Sequence, residues 1–225
     1  MVRISITPDA TGQIDAARNS LGVEGPWYPF ADGYDIQGMR GGSCRAAGHA
    51  DADCSTITSP DPSVLDFPNA GGRMCVSGTV AQVLLANGTP DWGNMWGAGI
   101  GFDLNRAGTD AASRGPYNAA AHGVVGISFD IDAVPQLGLR VELPTPATAG
   151  TGIQPYWGAA AFYPNSPVQV GPNTFYFTDV FTPETTPQTL DTTRIQSVQF
   201  HLPSSQTSAE PFAFCISNVA FLVAK

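Results

Sequence analysis

Apolar and polar positions alternate with a period of two along most of this chain, and the helical period of 3.6 is almost absent. The alternating runs predict strands over Gly25–Tyr34, Met74–Leu85, Met95–Leu104, Val124–Ile131, Gly138–Leu143, Pro155–Tyr163, Asn173–Val180, Ile195–Leu202 and Phe212–Val223. Turn-forming clusters separate them, among them Ser59–Pro62, Asn87–Pro90, Pro144–Gly152 and Ser204–Gln206. Short strands at this spacing predict an all-β fold, a two-sheet antiparallel β-sandwich. The only helix candidates, Asp15–Ser20 and Tyr117–His122, are each limited by Gly or Pro. Residues 1–73 are loop-rich and are expected to wrap a core of residues 74–223, all within a single domain of residues 1–225.

The same period sorts side chains to faces. In Trp96–Leu104 the expected inward set is Trp96, Ala98, Ile100, Phe102 and Leu104, which leaves Gly97, Gly99, Gly101 and Asp103 as a bare opposite face. Alternate glycines weaken a strand and are tolerated where a ligand or a bulky neighbouring side chain approaches closely. A dinucleotide-binding glycine loop would need a following helix, which is missing here. Elsewhere the outward sets are Ser128, Asp130 and Asp132; Arg140 and Glu142; and Ser197, Gln199 and His201. If these strands are neighbours, Asp130, Arg140, Glu142, Gln199 and His201 form one polar groove. Its donors and acceptors suit sugar hydroxyls, with exposed rings such as Trp157 and Tyr163 stacking on pyranose faces. The alternative is a solvated sheet face on which Arg140 pairs with a carboxylate.

Composition narrows the possibilities. The 225 residues carry a net charge of −9, and the ten basic residues are nine scattered Arg and Lys225, so no basic stripe for nucleic acid exists. No apolar run is long enough to span a membrane as a helix. Four Cys without a CxxC spacing predict disulfides, with Cys44–Cys54 stapling a local loop and Cys75–Cys215 tying an early strand to the last one. Zinc held by His49 and these cysteines is the competing reading. Oxidised cysteines imply a secreted, extracellular protein, and with no apolar signal core at its start the chain is expected to follow a removed export signal. Asn87-Gly88-Thr89 fits a glycosylation acceptor.

An ordered set of segments resembles one known family. Pro116–Phe129 (PYNAAAHGVVGISF), Trp96–Gly101 (WGAGIG), Arg140–Leu143, Ile195–Phe200 (IQSVQF) and Phe214–Phe221 (FCISNVAF) are similar, in that order, to motifs of jelly-roll carbohydrate-binding modules of the family 11 type, in the galactose-binding-like superfamily. Gly25–Gly33 (GPWYPFADG) also resembles the opening of a group of exported bacterial sandwich domains. The family resemblance implies a jelly roll that binds β-glucan-like polysaccharide on one sheet, through Asp130, Arg140, Glu142, Gln199 and His201. It also implies a structural calcium ion, with Asp32 as the acidic ligand and Asn218 standing where an aspartate is usual. A non-catalytic, monomeric carbohydrate-binding module is therefore the expectation. The alternatives are a polysaccharide hydrolase or lyase using Asp130, Glu142 and His201, and a structural or adhesive extracellular subunit pairing through sheet edges.

Overall fold

The computed structural model describes residues 1–33, 42–60, 72–107, 113–148, 163–164, 166–181 and 189–225. Its strands in chain order are β1 (Val2–Ser5), β2 (Gln13–Ile14), β3 (Gly25–Ala31), β4 (Thr56–Ser59), β5 (Arg73–Val80), β6 (Leu85–Ala86), β7 (Thr89–Pro90), β8 (Gly97–Asp103), β9 (Val124–Ile131), β10 (Arg140–Glu142), β11 (Tyr163–Pro164), β12 (Gly171–Tyr176), β13 (Val180–Phe181), β14 (Ser197–Pro203) and β15 (Glu210–Val223). The expected strand over Pro155–Tyr163 lies almost wholly outside the described residues.

Two antiparallel sheets form the sandwich. The first has the order β12-β9-β15-β5-β4, with β1 also pairing β15, and the second has the order β10-β14-β8-β3-β2. From β5 onward the chain crosses between the sheets at almost every step: β5 to β8, back to β9, over to β10, back to β12, over to β14 and back to β15. That alternation, with the last strand in the middle of the first sheet, is jelly-roll connectivity. The N-terminal segment supplies strands to both sheets, because β1 pairs β15, β4 pairs β5 and β3 pairs β8.

The apolar sets of the alternating strands meet between the sheets. Trp27, Ile100, Phe102, Val198 and Phe200 from the second sheet face Met74, Val76, Ile127, Phe129, Phe214 and Ile216 from the first, all buried. Trp27 packs on Phe102 with centroids 4.7 Å apart, and Phe129 meets Phe200 edge-on at 4.9 Å. Each such side chain contributes about 1.5–3 kcal/mol by leaving water.

Both expected disulfides are present. Cys44 and Cys54 belong to a small second cluster with Ala81, Val83 and Met95. Cys75 and Cys215 sit directly opposite each other on β5 and β15. The two helix candidates contract to single 3-10 turns, Ala16–Arg18 and Ala120–His122. A short α-helix, α1 (Ser43–Ala46), sits in the Cys44 loop, where alternation offered no helical signal. Among the described residues, no helix is long and apolar enough to cross a membrane.

Candidate functional site

The outer face of the second sheet is built in rows by its register. Arg140, His201, Gly99 and Phe30 lie opposite one another across β10, β14, β8 and β3, and the next row holds Glu142, Gln199, Gly101 and Tyr28. Four of the five residues expected in a polar groove, Arg140, Glu142, Gln199 and His201, thus share one face. Asp130 does not. Its strand β9 lies between β12 and β15 in the first sheet, and Asp130 accepts a hydrogen bond from Asn218 Nδ2 at 2.6 Å there. Alternation had assigned Asp130 to the outside of its strand but could not say which sheet that strand joins.

Most of this face is not solvated. Glu142, Gln199 and His201 are 6%, 7% and 4% exposed, and each has a hydrogen-bond partner within the protein. His201 Nδ1 lies 2.8 Å from Glu142 Oε1, and Nε2 lies 3.0 Å from the Trp96 carbonyl oxygen. Both partners present acceptor oxygens to the ring. Gln199 Nε2 donates to the Tyr28 hydroxyl at 3.1 Å. Burial pushes the Tyr28 phenol up to about 12, so it stays a neutral hydroxyl.

The glycine floor is occupied by neighbouring side chains. A Cβ on Gly99 would come within 2.1 Å of the Phe200 carbonyl oxygen and 2.9 Å of Phe30 Cζ, so the Phe30 ring leans over the bare strand. Gly97 has φ 125°, a left-handed value that a side chain resists. That kink interrupts the alternation one residue after Trp96. Trp96, expected inward, instead packs on Phe30 and His201 at 5.9 and 5.8 Å and donates from Nε1 to Ser43 Oγ.

At one end of the face is a buried ionic cluster that sequence reasoning missed. Asp103 lies 3.2 Å from Arg106 Nη1 and 2.8 Å from Arg114 Nη2, and the Arg114 guanidinium sits 5.4 Å from the Tyr28 ring centroid. Burial raises the Asp103 pKa, and the two guanidiniums oppose that shift. The available signal was Asp103 itself, a charge placed by alternation on the glycine face with two arginines following it in the chain.

At the other end, Asp32 follows β3 and is fully buried. Its carboxylate accepts from Ser55 N at 2.7 Å, Ser55 Oγ at 2.9 Å and Gly97 N at 2.8 Å. Burial raises its pKa to about 6 against the lowering effect of these bonds. Asn218 is exposed on a bulge of β15 in the opposite sheet. The implied calcium pair is therefore not assembled, and the N–H and O–H groups around Asp32 are donors where a cation needs oxygen acceptors. The sulfurs of Cys44 and Cys54 lie within 4.8 Å of Asp32 but are spent in their disulfide. His49 instead pairs with Asp91 at 2.8 Å, apart from those sulfurs.

Among the aromatic rings of the chain, Trp27 and Tyr117 belong to the core, and the Tyr117 hydroxyl donates to the Leu21 carbonyl. Trp157 and the side chain of Tyr163 lie outside the described residues, as do Tyr34 and Tyr156. Tyr28 and Phe30 are the rings that β3 adds to the polar face, with Phe30 half-buried.

No protein-family model and no curated protein matches the chain. Among solved structures it is similar to the family 11 carbohydrate-binding module of Clostridium thermocellum in complex with a beta-1,3-1,4-mixed-linked tetrasaccharide, at 14% identity over 100% of this chain and 98% of that one, TM-score 0.45. It is also similar to the family 11 module of the cellulosomal cellulase Lic26A-Cel5E of the same organism, at 16% identity over 76% and 81%, TM-score 0.39. An exo-beta-agarase matches at 11% identity over 76% of this chain and 25% of that one, TM-score 0.32. At these values the likeness assigns neither ligand nor residue roles.

Proposed function

We propose that this chain is an exported, non-catalytic carbohydrate-binding module that takes a polysaccharide across the outer face of its second sheet. The observation that carries the reading is the row in which the half-buried Phe30 ring over Gly99 and the exposed Arg140 flank His201. A ring for stacking beside a planar hydrogen-bonding fork is the combination that sugars require. The ordered sequence resemblance to family 11 modules supports the same reading, and the two disulfides support export. Binding is favoured over glycosidic cleavage because each carboxylate of the face is already engaged by side chains, Glu142 by His201 and Asp103 by two arginines. Cleavage needs one carboxyl kept as acid and a second free as base or nucleophile.

Affinity electrophoresis and titration calorimetry of the whole chain against a panel of neutral and acidic polysaccharides test the reading. Retardation by at least one polymer, weakened about tenfold or more by Phe30→Ala with the melting temperature preserved, is the expected result. Failure to bind any polymer overturns it, and so does product release from the polymer that binds.

A further inference from the structure

The two disulfides sit in opposite surroundings. Cys75 on β5 and Cys215 on β15 face each other across one antiparallel pair, and every second residue of β5 is buried. Met74, Val76, Phe214 and Ile216 turn into the core, so the pleat sends both cysteines to the outer face of the first sheet, where each is half-buried. Their nearest neighbours on that face of the two strands are Arg73, Ser77, Ala213 and Ser217. Three of these are small, and the Arg73 guanidinium pairs with Asp132, whose other carboxylate oxygen accepts from the Cys215 backbone N–H at 2.7 Å. On these strands the sulfurs are flanked rather than covered. Cys44 and Cys54, by contrast, are 0% and 4% exposed and pack with Ala81, Val83 and Met95. Their sulfurs lie within 4.8 Å of an Asp32 carboxylate oxygen. That carboxyl has a pKa of about 6, so at neutral pH its charge opposes a second negative charge on sulfur.

A disulfide opens when a thiolate attacks one sulfur and the other leaves as a thiolate, so access and the fate of the leaving charge decide which of two bonds reacts. Both favour Cys75–Cys215, whose leaving sulfur emerges toward water. We propose that Cys75–Cys215 is a thiol-exchange site, open in the folded protein to a dithiol reductant, whereas Cys44–Cys54 is a closed structural bond. One thiolate of the reductant bonds to the Sγ of Cys75 or Cys215 and expels the partner sulfur. The reductant's second thiol, once deprotonated, closes the reductant's own disulfide and releases the first cysteine, so two electrons and two protons pass to the protein. The pairing of β5 with β15 does not need the bond, because the ladder runs from Arg73 and Ser217 to Val80 and Glu210, and β15 is held by β9 and β1 as well. Closing a loop of 140 residues acts mainly on the unfolded chain, so the reduced protein is expected to stay folded and to melt at a lower temperature. The site lies on the first sheet and is independent of the carbohydrate-binding reading of the second.

The test incubates the whole native chain at neutral pH with a series of dithiothreitol concentrations, quenches with N-ethylmaleimide and identifies the labelled cysteines by peptide mass. Cys75 and Cys215 are expected to label about tenfold or more faster than Cys44 and Cys54, at a rate proportional to the dithiothreitol concentration. Circular dichroism of the product is expected to show a folded β-protein with a lowered melting temperature, and oxidised dithiothreitol is expected to restore the bond. Labelling of Cys44 and Cys54 first, or at a comparable rate, overturns the assignment. A rate at Cys75 and Cys215 that does not change with dithiothreitol concentration overturns it too, because the bond is then reached only through unfolding. Loss of the folded signal on reduction, or no label on either pair, is equally fatal to it.

Discussion

His201 and Glu142 meet diagonally across β14 and β10, with Nδ1 2.8 Å from Oε1, while the other ring nitrogen faces the Trp96 carbonyl. The pair is buried, so each partner satisfies a polar group that the interior would otherwise penalise. Either His201→Ala or Glu142→Ala is expected to cost about 3–5 kcal/mol in denaturant unfolding, because it leaves its partner's charge or polar atom uncompensated. The double variant is expected to cost less than the sum, with a coupling of about 1–3 kcal/mol. Additive single variants contradict the pairing.

The Asp103 cluster makes a similar prediction at the other end of the face. Asp103→Asn removes the carboxylate that faces Arg106 and Arg114 while preserving its shape. Because Arg106 is buried, the loss is expected to be about 3–5 kcal/mol, measured by thermal or urea unfolding. A change within about 0.5 kcal/mol shows that the countercharge contributes nothing to the fold.

Asp32 gives the fold a pH dependence. Its pKa is raised by burial from 3.8 to about 6, so the folded chain holds this proton more tightly than the unfolded chain does. Stability from this group is therefore greatest below about pH 4 and declines as pH rises through about 6, by about 3 kcal/mol at most. In Asp32→Asn nothing titrates at this position. The difference in unfolding free energy, wild type minus variant, is expected to fall between pH 4 and 6 and then level off. A difference that rises over that window contradicts the burial assignment.

The two disulfides differ in the length of chain they close, 140 residues for Cys75–Cys215 and 10 for Cys44–Cys54. Chain-entropy reasoning gives about 4–5 kcal/mol for the first and about 2.5–3 for the second. Calorimetric melting of Cys75→Ala/Cys215→Ala is expected to show a larger loss than melting of Cys44→Ala/Cys54→Ala. The reverse order points to the small cluster around Cys44 as the greater contributor.

Much of the secondary structure was legible from alternation. Val124–Ile131 was anticipated to the residue, and β5, β8, β14 and β15 to within a few residues at most of their ends. The strands β1 and β4 were not, since four residues such as VRIS and TITS are too few to establish a period. The sheet face that holds the candidate site was half legible. Gln199 and His201 were assigned correctly to the face away from the core, as were Arg140 and Glu142, because their apolar neighbours Val141, Val198, Phe200 and Leu202 demanded the interior. Phe30 could have been found by extending the alternation Tyr28, Phe30, Asp32 through the first strong strand.

By itself the sequence determined which side chains share a face of each strand, since the pleat sends alternate residues to opposite sides and water enforces the choice. It also marked the cysteines that pair, by setting one pair in a local loop and the other in two apolar strands. Only the tertiary structure decided which strands are neighbours. That choice separated Asp130 from Arg140 and Asn218 from Asp32, and it brought Asp103 to Arg106 and Arg114 beneath Tyr28. Strand order follows from packing two apolar faces against each other over the whole chain, and two-residue periodicity carries no record of that packing. The left-handed turn at Gly97 shows the same limit locally, because one backbone angle moved Trp96 from the expected core to the polar face.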